Sequence, residues 1–281
     1  MNLDSLTSFL DASPSPWHAA HTAVQELEAA GFRRAEWTAP APSLPPRGFM
    51  QRGAAVVAWD RGSAAKARSP FRIVGAHTDS PCLRIKPNPD TGGFGWKQLA
   101  VEVYGGALLT SWLDRDLGLA GRIELADGSH HLIDHRSAIA RVPQLAIHLD
   151  RDVNERGLTL DKQMHLTPVW GVGTPIAGEF ASFVATSAGV DVDEVRSWDL
   201  LLFDLTPAAV IGADQSLLAS GRLDNQASCW AATTALANSL NGGAHTSLIA
   251  LFDHEEVGSE STSGAAGPLL EHVLEIGRAH V

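Results

Sequence analysis

Residues 247–256 read SLIALFDHEE, an apolar run that passes directly into four titratable side chains. Residues 71–79, FRIVGAHTD, have the same form and end at His77 and Asp79. Short apolar runs of this length are typical of buried strands. Because ligand sites of open α/β sheets lie at strand ends, the pattern predicts a site built from the residues that follow the two runs.

Helical periodicity accompanies these predicted strands. Between Leu3 and Gly31 apolar residues recur three and four positions apart, with a break at residues 13–16 (SPSP), which predicts two helices. Residues 228–240 are rich in alanine and predict another helix. Strands alternating with helices at both ends of the chain indicate the α/β class, with an open mixed sheet flanked by helices.

The middle of the chain has a different pattern. Residues 88–207 contain short β-rich runs separated by Gly and Asp-Gly turns. The pattern predicts an inserted β-rich domain, which divides the α/β domain into residues 1–87 and 208–274.

Composition narrows the classes of function. With 281 residues, 44% of them apolar, the chain can bury a large core. The net charge of −11 argues against a nucleic-acid partner, because phosphate binding relies on clustered Lys and Arg. The first ten residues, MNLDSLTSFL, have no cationic start and no long apolar run, and no later stretch reaches the roughly 20 apolar residues that a membrane span needs. Cys82 and Cys229, the only two cysteines, fit buried positions in a reducing compartment, so we expect a cytoplasmic protein without membrane association.

His77 and Asp79 are the first candidate metal-site pair. In extended backbone, residues two apart point to the same side, so Asp79 could orient His77 as a metal ligand. A surface turn or a satisfied polar pair is the structural alternative.

Asp224 is the second candidate and directly precedes the predicted alanine-rich helix. One carboxylate can offer an oxygen to each of two cations about 3.5–4 Å apart, so Asp224 could bridge a metal pair. Asp is also an ordinary N-cap residue, and helix capping is the alternative.

The third candidate is the group Asp253, His254, Glu255 and Glu256. A charge run on a solvated helix face is the ordinary explanation. At the end of a buried strand, however, so much negative charge calls for a counter-ion. Two adjacent Glu residues could then divide the work, one binding an ion and the other taking a proton from the attacking water.

The three segments together offer one imidazole and several carboxylates, with no Cys at ligand spacing. This donor set suits Zn, with Mn or Co as alternatives. The chain contains no HExxH, GxSxG, P-loop or GxGxxG motif. Hydrolysis by a metal-activated water is therefore the leading reaction class.

Seven motifs stand in order along the chain: residues 13–18 (SPSPWH), 75–83 (GAHTDSPCL), 104–106 (YGG), 112–121 (WLDRDLGLAG), 142–149 (VPQLAIHL), 222–229 (RLDNQASC) and 253–261 (DHEEVGSES). In this order they resemble the aspartyl aminopeptidases, metallopeptidase family eighteen. The resemblance covers nearly the whole chain.

The resemblance implies a role for each matching residue. His77 would be a ligand of one of two divalent ions, and Asp79 the carboxylate that orients it. Asp224 would bridge the two ions, and Glu256 would be a ligand of the second. Glu255 would be the general base and acid of the hydrolysis.

Assembly and substrate are also implied by the resemblance. The inserted domain would mediate dimerisation, and full-length subunits would build a hollow dodecamer that cleaves peptides with N-terminal Asp or Glu. His148, in the insertion, resembles a histidine that the family presents to a neighbouring subunit's active site. A strand histidine satisfied in an interface is the alternative.

The C-terminal residues depart from the family pattern. Residues 275–281, EIGRAHV, match one reading frame of a widely used short-read sequencing adapter, which predicts a non-native tail. The resemblance also implies that a further Asp and His, absent from this chain, complete the two metal sites.

Two other functions stay open. One is a broader-specificity aminopeptidase of the related glutamyl family, which a panel of substrates would separate. The other is a non-catalytic assembly or peptide-binding fragment, which would form oligomers without holding a divalent ion.

Overall fold

The computed structural model describes residues 3–37, 44–66, 69–239 and 242–278. Its helices are α1 (Leu3–Ala12), α2 (Pro16–Ala29), α3 (Val153–Arg156), α4 (Glu179–Ala188), α5 (Leu223–Ala237) and α6 (Leu269–Arg278). Its strands are β1 (Arg33–Arg34), β2 (Arg47–Arg52), β3 (Ala55–Arg61), β4 (Phe71–His77), β5 (Cys82–Gly93), β6 (Trp96–Tyr104), β7 (Leu117–Leu125), β8 (His130–Ala140), β9 (Val169–Val172), β10 (Val195–Asp204), β11 (Ala209–Ile211), β12 (Leu217–Ala219) and β13 (Thr246–Phe252). Short 3-10 turns lie at Leu109–Trp112, Val192–Glu194 and Glu255–Val257.

The chain divides into two compact units, one formed by residues 1–80 and 208–281 and the other by residues 81–207. The first break precedes β5, which runs without interruption from Cys82 to Gly93 and would be cut by a boundary at residue 87. The predicted domain limits of 87/88 and 207/208, and the role of residues 88–207 in dimerisation, stay predictions.

The first unit is an open mixed sheet flanked by helices, and the predicted α/β class is confirmed. The strand order is β1-β2-β3-β13-β4, in which β13 runs antiparallel to β3 and parallel to β4. Alternate residues of β3 enter two cores: Val56 and Ala58 pack with α1, α2 and α5, while Val57 and Trp59 pack with α6. Both faces are buried, which explains why β3 is apolar without interruption from Ala55 to Trp59.

The two predicted N-terminal helices are confirmed, and their junction follows from local chemistry. Ser15 is the N-cap of α2, and its side chain accepts a hydrogen bond from the His18 amide. Pro16 occupies the first helical position, where a missing N–H costs no hydrogen bond. The alanine-rich helix is also confirmed and ends at Ala237; Leu240, in the predicted range, lies outside the described residues.

The second unit contains a six-stranded antiparallel sheet of order β8-β7-β10-β5-β6-β9. Helix α4 packs Phe180 and Val184 into the core on this sheet. Within the part of the chain that the structure describes, no helix is long and apolar enough to cross a membrane.

Candidate metal centre

The site begins where two parallel strands end side by side. In β4 and β13, His77 is in register with Phe252, and the Thr78 amide donates to the Phe252 carbonyl at 2.8 Å. Parallel strands place their carboxyl ends at one edge of the sheet. This pairing therefore brings His77 next to the residues that follow Phe252, although 175 positions of sequence separate the two strand ends, as the residue numbers show.

His77 presents one ring nitrogen to the first unit's interior and the other to a group of carboxylates. Its Nδ1 lies 3.3 Å from Asp79 Oδ1 and 3.1 Å from the Asp79 carbonyl oxygen. Its Nε2 lies 3.3 Å from Asp224 Oδ1 and 3.7 Å from Glu255 Oε2. Burial lowers the pKa of His77, but hydrogen bonding and charge from Asp79 and the charge of Glu255 outweigh it, so the pKa is raised.

Asp79 contacts more than His77. Its side chain is 1% exposed, and its two oxygens accept hydrogen bonds from the backbone amides of Glu255 and Glu256, each at 3.1 Å. One buried carboxylate thus holds the imidazole on one side and the turn carrying both Glu residues on the other. Only its proximity to His77 could be predicted from the sequence.

Asp224 lies at the start of α5 without capping it. Asp224 (φ −84°, ψ 109°) and Asn225 (φ −119°, ψ 24°) both have non-helical dihedral angles, so the regular turns of α5 begin after them. The Asp224 side chain contacts His77 Nε2 at 3.3 Å and Asn225 Nδ2 at 3.4 Å rather than a backbone amide of the helix. The capping alternative for Asp224 is therefore wrong. Its side chain is 78% exposed, and its Oδ1 faces the His77 ring.

Glu255 and Glu256 lie in the 3-10 turn rather than on a solvated helix face. His254, which precedes them, has the left-handed conformation (φ 63°), and Asp253 is 4% exposed, so the explanation of a solvated charge run is wrong for this segment. Ligand atoms of His77, Glu255 and Glu256 all lie within 4.8 Å of one another.

His254 belongs to the third candidate group, but the sequence assigned no role to it. Its Nδ1 lies 2.8 Å from Ser261 Oγ, and its Nε2 lies 3.5 Å from Asp253 Oδ2. These contacts close the loop that carries the two Glu residues. The dense run of polar residues at 253–263 was the available signal, but the partners of an imidazole depend on how the loop folds back.

The donor set fits a divalent cation such as zinc. It combines an imidazole whose outer nitrogen faces Asp224 and Glu255 with the buried carboxylate of Asp79 behind it. A carboxylate that fixes the second nitrogen of a ligand histidine is the usual support of a protein zinc site. Cys229 adds no sulfur ligand, because its Sγ lies against the His77 carbonyl at 3.0 Å.

His148 lies elsewhere, in an exposed turn of the second unit. Residues 147–149 form a turn, so His148 is not in a strand, while the alternative that it is satisfied in an interface stays a prediction. Its proposed role toward a neighbouring subunit stays a prediction. The predicted tail, residues 275–281, overlaps α6 up to Arg278, and residues 279–281 lie outside the described residues.

Comparison with known proteins identifies a family of zinc enzymes. Residues 9–279 match the model of the family described as Aminopeptidase I zinc metalloprotease (M18). A Streptomyces coelicolor protein named "Probable M18 family aminopeptidase 2" is 51% identical over 276 residues, which cover 97% of this chain and 64% of that protein. The crystal structure of prApe1 superposes with a TM-score of 0.90 at 27% identity and covers 98% of this chain and 64% of that chain. The S. cerevisiae mApe1 dodecamer gives a TM-score of 0.84 at 25% identity, covering 98% and 66%.

The chain therefore spans about 64% of the length of the curated relatives that it matches. The family model covers nearly all of it, including every residue of the candidate site. On this evidence, the chain belongs to the M18 family of zinc metalloproteases, the Aminopeptidase I family.

Proposed function

We propose that the chain is part of a metal-dependent aminopeptidase that removes N-terminal Asp or Glu from peptides with the help of two divalent ions. The observation that carries the proposal is the convergence on His77 Nε2 of Asp224 Oδ1 at 3.3 Å and Glu255 Oε2 at 3.7 Å. Three segments far apart in sequence contribute these groups, and family membership supports the aminopeptidase class.

Each side chain has a distinct task in this proposal. His77 would hold one ion through Nε2, Glu256 would hold the other, and Asp224 would lie between them. When bound, such a metal pair polarises the scissile carbonyl and makes water a stronger nucleophile. Glu255, 53% exposed at the rim of the site, would take the proton of the attacking water and deliver it to the leaving amine.

The metal, partners and location belong to the same proposal. Zinc is the expected ion, with Mn or Co as alternatives, because imidazole and carboxylate donors suit all three. Residues 88–207 would mediate dimerisation, His148 would reach a neighbouring subunit's site, and a dodecamer like that of mApe1 would form when the full-length protein assembles. We propose a cytoplasmic location, since both cysteines are free and buried.

The test is release of p-nitroaniline from aspartyl, glutamyl and leucyl p-nitroanilides by the full-length protein that contains this chain, with and without a chelator. A matched pair of variants, Glu255→Gln and Glu260→Gln, removes one negative charge from the site turn or from an exposed position five residues later. Loss of a general base costs about 10²–10⁴-fold in rate, so only Glu255→Gln should lose activity.

Three outcomes would contradict the proposal. Equal rates with and without chelator would exclude a metal-dependent mechanism. Equal turnover of leucyl and aspartyl substrates would exclude the acidic preference and favour the broader-specificity alternative. A folded full-length protein that neither releases p-nitroaniline nor binds zinc would favour a non-catalytic assembly or peptide-binding role.

A further inference from the structure

The start of α5 contacts the end of β4 through three side-chain to backbone hydrogen bonds. The His77 amide donates to Asn225 Oδ1 at 3.2 Å, and the Cys229 thiol donates to the His77 carbonyl at 3.0 Å. The Gln226 side-chain amide donates to the Thr78 carbonyl at 2.5 Å. We call Asn225, Gln226 and Cys229 the α5 clamp.

The α5 clamp supplies hydrogen bonds that a neighbouring strand would otherwise supply. The Thr78 amide is bonded to the Phe252 carbonyl, so the amide and carbonyl of His77 point away from β13. Among the described strands, β4 is the last of its sheet and has none on that side. Backbone groups need partners, and here α5 provides them through side chains.

Gln226 is the member of the clamp whose presence is hardest to explain by folding alone. It is 1% exposed, and its Oε1 atom is buried without a hydrogen-bond partner among the described residues. Burying an unpaired amide oxygen costs free energy that an apolar side chain of the same length would avoid. Residues that break such a rule are expected at functional positions.

The same helix start also carries Asp224. Ser80 Oγ donates to the Asp224 carbonyl at 2.8 Å. The segment that follows His77 is therefore hydrogen-bonded to the start of α5 both at Thr78, through Gln226, and at Ser80, through Asp224. The separation of 3.3 Å between His77 Nε2 and Asp224 Oδ1 therefore depends on the α5 clamp.

We propose that Gln226 is a positioning residue: by holding the Thr78 carbonyl, it fixes the backbone next to His77 at its distance from Asp224 and thereby sets the affinity of the site for zinc. The inference rests on the proposed function in taking His77 and Asp224 as metal ligands. In this inference a buried side-chain amide, which contacts neither metal nor substrate, controls the distance between two ligands that belong to different elements.

The test compares Gln226→Met with Thr233→Val in the full-length protein that contains this chain. Thr233 lies on the same helix, is 0% exposed, and also has a buried side-chain oxygen without a partner among the described residues. Two quantities are measured: zinc affinity, by competition with a chromophoric chelator, and hydrogen exchange of peptides spanning residues 77–78 in the metal-free chain.

We expect Gln226→Met to lower zinc affinity by about 10- to 100-fold, the usual effect of removing a group that orients a metal ligand. Exchange at residues 77–78 should accelerate, and Thr233→Val should change neither quantity. If Gln226→Met does not fold, Asn225→Ala removes the bond to the His77 amide, and the same results are expected of it.

Two outcomes would overturn the inference. A lower unfolding temperature with unchanged exchange and affinity would reduce Gln226 to a structural role, and faster exchange with unchanged affinity would show that the clamp does not govern the ligands. A folded full-length wild-type protein that binds no zinc would instead refute the proposed function and with it the metal role of Gln226, while the exchange measurement would still report whether the clamp exists.

Discussion

Asp79→Asn is the substitution with the most direct consequence for the site. The carboxylate accepts hydrogen bonds from the backbone amides of Glu255 and Glu256 and contacts His77 Nδ1. Asparagine retains one acceptor oxygen, so one of the two amides would face a side-chain NH2 group instead. The variant thus loses one charge-assisted hydrogen bond and leaves one buried donor without a partner.

The expected cost follows from these two changes. A hydrogen bond to a charged group contributes about 1.5–3 kcal/mol, and an unpaired buried donor costs about 1–3 kcal/mol. The neutral amide is less costly to bury than a carboxylate, which offsets part of the sum. We expect the free energy of unfolding of the metal-free chain to fall by about 2–4 kcal/mol, and zinc affinity to fall by about 10- to 100-fold because His77 loses its orienting partner.

The assay is urea denaturation in the presence of chelator, combined with zinc titration of the folded chain. Asp4→Asn is the matched control, since it makes the same chemical change at an exposed position of the same unit. The reasoning is refuted if Asp79→Asn unfolds at the same urea concentration as Asp4→Asn and binds zinc with wild-type affinity.

Three further predictions concern packing and ionisation. Gly264→Ala would place a methyl group 2.1 Å from a backbone oxygen and should lower the free energy of unfolding by about 2 kcal/mol or more. Gly221→Ala is the control, because its added methyl group meets nothing within 4 Å. Equal unfolding temperatures of the two variants would contradict this prediction. Because the pKa of His77 is raised, its contribution to stability is complete below the unfolded pKa of about 6.5 and is lost as pH rises through the folded value. In chelator, the difference in unfolding free energy between wild type and His77→Gln should therefore shrink from pH 6 to pH 9, and a constant difference would argue against it. Burial raises the pKa of Cys229 to about 12, and Cys82 is also buried. Neither thiol of the native chain should therefore react with a disulfide reagent at pH 8, whereas both should react after unfolding in guanidinium. Rapid reaction of Cys229 in the native chain would contradict its burial.

The strands and helices that position the site could be predicted because their signals are local. Apolar runs that end at His77 and Asp253 are visible in a few adjacent residues, as is the Pro16 start of α2. Strands β3 and β13 have partners on both sides and carry apolar runs that stand out from the rest of the chain. The expectation that the run before His77 is buried was wrong, because β4 is the last of the described strands in its sheet and Ile73 and Val74 are 44% and 53% exposed.

The connections within the site could not be predicted in the same way. The bonds from Asp79 to the Glu255 and Glu256 amides span more than 170 positions. Asp224 shows the difficulty most clearly, because its local sequence suits a helix cap as well as a metal site, and only the fold places its carboxylate against His77.

The amino-acid sequence by itself determined the fold class, the strand ends at which chemistry could occur, and the types of ligand atom available, because periodicity and side-chain chemistry are properties of neighbouring residues. The tertiary structure alone decided which of those groups meet. Pairing of β4 with β13, and the hydrogen bonds from α5 to the end of β4, set distances between segments that no local pattern encodes.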